Sequence, residues 1–142
     1  MNRWRTSMST AEPSQNLLLD THTLIWLATD DARISEQARA LVGDLKNDLY
    51  LSVASVWELA IKKSLGKIAL QMPLAAFVKS QTEALNLRRL DIHSEHALLV
   101  EGLPFHHRDP FDRMLVAQAL HEGLSILGAD SVFDAYSVKR LW

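Results

Sequence analysis

Four carboxylic acids in this sequence stand where side chains from separate elements could meet. Two of them follow short apolar runs, and the other two lie within helical patterns; they are Asp20, Glu58, Asp112 and Asp130. Hard divalent cations such as Mg²⁺ bind oxygen ligands, usually a few carboxylates together with waters. Because neighbouring carboxylates repel one another unless a cation lies among them, converging acids of this kind predict a metal site able to hydrolyse phosphodiesters.

Three of these acids also have a purely structural interpretation. Glu58 is the fourth residue of a capping-box pattern that begins at Ser55. Asp112 lies in the first turn of a predicted helix, where the macrodipole stabilises a carboxylate, and Asp130 could cap a short helix or begin a turn. Asp20 stands between a buried strand and an apolar helix, where a charge contributes little to folding. That position favours a functional role for Asp20.

Residues that flank the third acid also have either a structural or a functional interpretation. Asp109 precedes a proline at the first helical position, so we interpret it as the N-cap of that helix. Arg113 is interpreted as a supporting site residue, which binds phosphate or the carboxylates, and Arg108 as part of a solvated loop. His106 and His107 form a loop pair without the helical spacing of metal ligands, which indicates ordinary surface residues.

Other residues near the acids keep two interpretations. His22 could line the site or pack as a neutral histidine, and a stripe of lysines near Glu58 could guide an RNA backbone or form a solvated helix face. The stripe consists of Lys62, Lys63 and Lys67. Trp26 and Trp57 have apolar neighbours, which favours a place in the core or in a dimer interface over base stacking.

The elements that must position the acids are short apolar strands that alternate with helices. Apolar periodicity and helix start and stop signals predict strands over residues 17–19, 49–52, 87–92, 124–127 and 138–142, and helices over residues 21–28, 35–47, 56–65, 73–85, 93–101 and 110–122. This alternation predicts one α/β domain with three layers, α/β/α, around a central parallel sheet. Sites in such folds form at the carboxyl ends of strands, where we expect Asp20 and Asp130.

Composition narrows the functional classes. Hydrophobic residues make up 48% of the 142, which is enough for a buried core and argues against disorder. The absence of cysteine excludes disulfides, thiolate metal sites and cysteine nucleophiles. The formal charge of −2 gives no support for general nucleic-acid binding. No apolar run is long enough to cross a bilayer, and residues 1–15 lack a secretory pattern, so we expect a cytoplasmic protein. Residues 1–16 are predicted to be a flexible extension before a domain over residues 17–142.

Four motifs resemble, in order and spacing, those of the PIN-domain family, and within it the VapC-type toxins of bacterial toxin–antitoxin pairs. They are Leu17-Leu18-Leu19-Asp20-Thr21-His22, Val56-Trp57-Glu58-Leu59-Ala60, Asp109-Pro110-Phe111-Asp112-Arg113 and Asp130-Ser131-Val132-Phe133. The resemblance extends over residues 17–142. It implies an α/β/α PIN-like fold and an endoribonuclease that cleaves RNA with Mg²⁺ or Mn²⁺ and an activated water. It also implies a cognate antitoxin as partner, and a homodimer.

The resemblance assigns roles residue by residue. Asp20 and Asp112 match acids that ligate the metal directly, Glu58 matches the second acid, and Asp130 matches the fourth, which often acts through water. Thr21 would orient a ligand or a water with its hydroxyl. One position departs from the family: Gly128 stands two residues before the fourth acid, where the family commonly has Thr or Ser.

Two other functions are compatible with part of this sequence pattern. A magnesium-dependent phosphatase of the haloacid-dehalogenase type also has an Asp after its first strand, but it needs a second Asp two residues later, where this chain has His22. The other alternative is a PIN-like binding module that acts mainly through its antitoxin and cleaves weakly. Gly128 is the sequence feature that supports it, and the presence of the first three acids argues against it.

Overall fold

Parallel strands form the centre of the domain in the computed structural model, which describes residues 4–8 and 13–142. The strands are β1 (Asn16–Leu19), β2 (Asp48–Ser52), β3 (Arg88–Leu90), β4 (Ser125–Leu127) and β5 (Arg140–Leu141). All pairings are parallel, in the order β3-β2-β1-β4-β5. In this register Leu18 lies beside Tyr50 of β2 and Ile126 of β4. The first strand therefore occupies the middle of the sheet.

Helices connect the strands, and their positions confirm the predicted three-layer α/β/α architecture. They are α1 (Thr21–Thr29), α2 (Glu36–Gly43), α3 (Val53–Ser64), α4 (Leu74–Leu85), α5 (Ser94–Glu101) and α6 (Pro110–Glu122), with a 3₁₀ helix at Ser131–Ala135. In the described part of the chain, no helix is both long and apolar enough to cross a membrane.

The apolar run of β1 is explained by helices on both faces of the sheet. Leu17 and Leu19 belong to the core cluster that includes residues of α1, α2 and α4, whereas Leu18 belongs to the cluster with α6. Successive strand residues point to opposite faces, and all three leucines are fully buried. A strand covered on both sides reads as a continuous hydrophobic run, as the sequence indicates.

The segment before β1 differs from the prediction of a flexible extension. Trp4 and Arg5 are buried, and the Arg5 guanidinium donates hydrogen bonds to the carbonyl oxygens of Val42 (3.0 Å) and Asn47 (2.6 Å). Such contacts have no sequence period, because they depend on α2 being in place. The part of the predicted extension at residues 1–3 and 9–12 lies outside the described residues, and the domain boundary at residue 16 stays a prediction.

Candidate metal and catalytic site

Asp20 lies at the end of β1, and local structure does not use its side chain. Its backbone N–H donates to the Leu127 carbonyl oxygen at 3.1 Å, which extends the pairing with β4 by one residue. The Thr23 hydroxyl donates to the same carbonyl oxygen at 2.9 Å. Asp20 occupies the N-cap position of α1, but its carboxylate accepts no capping hydrogen bond. The buried carboxylate is therefore not used to cap the helix that it precedes.

Glu58 lies inside α3, so the capping-box interpretation is wrong. The helix begins at Val53, and the hydroxyl of Ser52 caps it by accepting a hydrogen bond from the Ala54 N–H. Of the Glu58 carboxylate, Oε2 lies 2.9 Å from Lys62 Nζ. Oε1 is buried and, within the described part of the chain, has no hydrogen-bond partner. A buried carboxylate oxygen without a donor is costly, and a bound cation would remove that cost.

Asp112 lies in the first turn of α6. The Asp109 carboxylate accepts from the N–H groups of Phe111 and Asp112, which confirms Asp109 as the N-cap and leaves the Asp112 side chain free. Burial raises the pKa of Asp112 to about 6, and the negative charges of Asp20, Asp109 and Glu58 add to this increase. The first three predicted acids therefore come together from β1, α3 and α6.

Asp130 has a different environment. It is exposed, and its carboxylate caps the 3₁₀ helix by accepting from the Val132 N–H at 3.0 Å. It is not among the charges that shift the pKa of Asp112; instead it lies near Arg140, whose pKa is raised by Asp134 first and by Asp130 to a smaller extent. Its assignment as the fourth acid stays a prediction.

Each of the three clustered acids has one basic neighbour. His22 Nδ1 lies 3.8 Å from Asp20 Oδ2, Lys62 pairs with Glu58, and His107 Nε2 lies 2.8 Å from Asp112 Oδ2. The nearby Asp20 carboxylate is the main cause that raises the pKa of His22. These contacts offset part of the repulsion among the acids.

The contact between His107 and Asp112 differs from the prediction that His107 is an ordinary surface residue. His107 belongs to a loop, and a loop has no periodicity that would separate it from His106. The only sequence signal was its position five residues before the third acid.

Two supporting residues have structural partners instead. The Thr21 hydroxyl donates to Ser55 Oγ at 2.8 Å and holds α1 against α3. The Arg113 guanidinium is buried and donates to backbone oxygens of the end of α5 and of the loop that follows it, those of Val100, Leu103 and Pro104. The expectation that Arg113 binds phosphate or the carboxylates does not agree with these contacts.

Among the described residues, two groups of metal-binding residue types have ligand atoms close together: His107, Asp109 and Asp112 at the start of α6, and His96, His121 and Glu122 at its other end. His96 Nδ1 accepts the backbone N–H of His93 at 3.0 Å, so the proton of a neutral ring is on Nε2. That nitrogen lies 3.0 Å from Glu122 Oε2 and donates to it. A protonated nitrogen cannot ligate a metal, and the second group serves as a hydrogen bond between α5 and α6.

The three clustered acids fit a hard divalent cation. They supply only oxygen donors, one buried oxygen of Glu58 has no hydrogen-bond partner among the residues that the structure describes, and burial together with the charge of Asp20 raises the pKa of Asp112. Mg²⁺ and Mn²⁺ prefer this donor set.

A family model and a related protein sequence both match this chain. The model of the PIN domain matches residues 17–139. Ribonuclease VapC16 of Mycobacterium tuberculosis is 35% identical over 60 residues, which are 42% of this chain and 43% of that protein, so the match spans less than half of the relative.

Solved structures show the same fold. The crystal structure of VapBC2 from Rickettsia felis bound to a DNA fragment from their promoter matches with a TM-score of 0.64 and 11% identity, over 89% of this chain and 98% of that one. FitAcB from Neisseria gonorrhoeae matches with a TM-score of 0.63 and 21% identity, over 89% and 96%. At these identities the likeness concerns the fold.

Proposed function

Since this chain belongs to the PIN-domain family, we propose that it is an endoribonuclease that hydrolyses RNA phosphodiester bonds with Mg²⁺ or Mn²⁺. One observation carries the proposal: Asp20, Glu58 and Asp112 converge from separate elements, and Glu58 keeps a buried oxygen that has no hydrogen-bond partner in the described part of the chain. A cation would turn three repelling charges into a favourable ligand set. The partial match to a ribonuclease supports the same conclusion.

The residues have separate tasks in this proposal. Asp20 and Asp112 would hold the cation, Glu58 would contribute its free oxygen, and Asp130 would support the site as the fourth acid. When bound, the cation lowers the pKa of a water and stabilises negative charge on the scissile phosphate. Asp20 is held by backbone pairing at the end of β1, and Lys62 holds one oxygen of Glu58. Asp112 is ionised above a pH of about 6, as a ligand must be.

The test is cleavage of structured and unstructured RNAs by purified protein with Mg²⁺, Mn²⁺ or EDTA. Asp20→Asn removes a proposed ligand with little change in shape. Asp91→Asn is the matched control, since Asp91 also follows a strand but is exposed and pairs with Arg89. We expect metal-dependent cleavage by wild type and Asp91→Asn, and a rate lower by about 100-fold or more in Asp20→Asn. Equal rates in Asp20→Asn, or cleavage in EDTA, would contradict the proposal.

The alternative of a weakly cleaving binding module receives less support from the structure than from the sequence. A Cβ atom at Gly128 would lie 2.9 Å from Asp20 Cβ, a distance that real Cβ atoms do not tolerate. Glycine therefore makes room for the first acid. The departure from Thr or Ser at this position does not argue that the site is lost.

We propose two protein partners, a small antitoxin and a second copy of this chain, and place the complex in the cytoplasm. The fold-level likeness to VapBC2 and FitAcB supports such complexes. An exposed apolar stripe along α3 and its C-cap residue, with Trp57 58%, Ile61 36% and Leu65 62% exposed, offers a surface for one of these two partners. Trp57 is thus not a core residue. Light scattering of Trp57→Lys, with and without antitoxin, tests both assemblies.

A further inference from the structure

His107 reaches the acid site through one short hydrogen bond. Its Nε2 lies 2.8 Å from Asp112 Oδ2, and the two side chains are only 28% and 17% exposed. Within the described part of the chain, no other side chain hydrogen-bonds to Asp112. An ionised carboxylate can only accept, so His107 donates through Nε2–H. This contact occupies one oxygen and leaves the other for a cation.

The loop that carries His107 is held by groups other than its ring. The His107 backbone N–H donates to the Tyr136 hydroxyl at 3.0 Å, and the Arg113 guanidinium donates to the Pro104 carbonyl oxygen at 2.9 Å. Phe105 lies over the same guanidinium, 4.3 Å from ring centre to Cζ. The His107 imidazole is therefore not needed to fix the loop. The contact that the imidazole itself makes is the one with Asp112.

The contact also bears on the orientation of the Asp112 carboxylate. The carboxylates of Asp20 and Glu58 act on the negative charge of Asp112, and a carboxylate that is repelled by two neighbours tends to rotate away from them. The donor at His107 Nε2 opposes this rotation because it holds one oxygen of Asp112 in place.

We infer that His107 is a positioning residue of the metal centre, which holds the Asp112 carboxylate in the orientation that binds the cation. The inference rests on the proposed function only in assigning a divalent cation to the acids. Hydrogen-bonded partners of metal ligands orient the ligand and raise metal affinity, and their loss typically costs about 10- to 100-fold in affinity.

The experiment measures Mn²⁺ affinity by calorimetry or by the loss of the free-ion paramagnetic resonance signal. In His107→Gln, the amide nitrogen takes a position similar to that of Nε2 and can still donate, whereas the shorter His107→Asn cannot reach Asp112. We expect His107→Asn and His107→Leu to bind Mn²⁺ about 10- to 100-fold more weakly, and His107→Gln to keep most of the affinity. In an Asp112→Asn background, His107→Asn should cause no further loss, because the two residues act as one unit.

His106 provides the matched control. It is the adjacent imidazole of the same loop, it is exposed, and its ring packs against Tyr136 with centroids 5.2 Å apart. His106→Asn should leave Mn²⁺ affinity unchanged. RNA cleavage separates a positioning role from a loosened loop. At saturating Mn²⁺, His107→Asn should recover the wild-type kcat, and only the Mn²⁺ concentration needed for half-maximal cleavage should rise.

Several results would overturn the inference. They are equal Mn²⁺ affinity in wild type and His107→Asn, an equal loss in His107→Gln and His107→Asn, an equal loss in His106→Asn, or no saturable Mn²⁺ binding by the wild type. A wild type that binds Mn²⁺ more tightly than His107→Asn yet cleaves no RNA would support the inference and contradict the proposed function. Cleavage by the wild type with no effect of His107→Asn on its metal requirement would contradict the inference alone.

Discussion

At the scale of single residues, the site combines three acids with three basic neighbours. Lys62 and His107 lie within 3 Å of an oxygen of Glu58 and Asp112, and His22 lies somewhat farther from Asp20. Each acid thus has one oxygen beside a positive or donating group. This arrangement lets the acids stay close in the absence of a cation, and it keeps the remaining oxygens available for one.

Gly128 is predicted to be essential to the position of Asp20. A methyl group at residue 128 would lie 2.9 Å from Asp20 Cβ, which is fixed close to the backbone and cannot swing away. Gly128→Ala should displace Asp20 from its position in the site. Displacement of a catalytic group by about 1 Å can lower a rate by about 100-fold, so we expect cleavage to fall by about 10- to 100-fold. Gly102→Ala is the control, because its Cβ would meet nothing closer than 3.9 Å. Wild-type cleavage and Mn²⁺ affinity in Gly128→Ala would show that the site tolerates the shift.

Asp112 is predicted to make the metal-free protein less stable as pH rises. Its pKa is raised from 3.8 to about 6 in the folded state, so the folded form binds the proton more tightly than the unfolded form. Stability from this group is therefore present below about pH 4 and is lost as pH rises through about 6, by roughly 3 kcal/mol at most. Asp112→Asn should accordingly stabilise the protein more at pH 8 than at pH 4, as measured by urea unfolding in EDTA. An equal effect at both pH values would contradict the raised pKa.

The clustered acids could be predicted from the sequence because each stands at a recognisable place on a strand or helix. Asp20 follows a buried strand, and Asp112 lies in the first turn of a helix that Asp109 caps. Glu58 matched a capping pattern only because it stands three residues after a serine. The observed start of the helix at Val53 is what separates a capping role from a role in the site. His107 could not be predicted, because its contact depends on how a loop folds back over a helix N-terminus.

At the scale of elements, α6 is the best predicted part of the chain. Its bounds, Pro110–Glu122, match the prediction because local residues set both ends. Asp109 caps the start, and Gly123 adopts a positive φ of 71° at the end, which suits glycine. In contrast α2 ends at Gly43, four residues before the predicted end. A Cβ atom at Gly43 would lie 2.8 Å from the Trp4 carbonyl oxygen. The end of α2 thus lies against the segment before β1, a tertiary contact that apolar periodicity cannot reveal.

Arg113 is predicted to act on the site through the loop between α5 and α6. Its guanidinium binds backbone oxygens of that loop, and a lysine ammonium cannot reproduce this fork. Arg113→Lys should therefore lower the free energy of unfolding by about 2 kcal/mol, since buried carbonyl oxygens lose their donors. It should also weaken Mn²⁺ binding, because His107 loses part of its support. Arg108→Lys is the control on the exposed part of the loop, and equal stability of the two variants would contradict this role.

At the scale of the whole molecule, sheet order explains why the acids meet. The first strand lies in the centre, between β2 and β4, so its carboxyl end is flanked by the start of α3, which follows β2, and by the start of α6, which leads into the amino end of β4. Residue 20 thereby comes close to residues 58 and 112, which lie far away in sequence. The alternation of strands and helices predicts a parallel sheet, but not the order of its strands, and hence not which acids share one site.

The most direct test of the metal centre is a crystal structure of the wild type and of Asp20→Asn, each soaked in Mn²⁺ and measured for anomalous scattering. The expected result is an anomalous peak enclosed by Asp20, Glu58 and Asp112 in the wild type, which is absent from the variant. An empty acid cluster at saturating Mn²⁺, or a peak that persists in Asp20→Asn, would contradict the assignment of these acids as a metal centre.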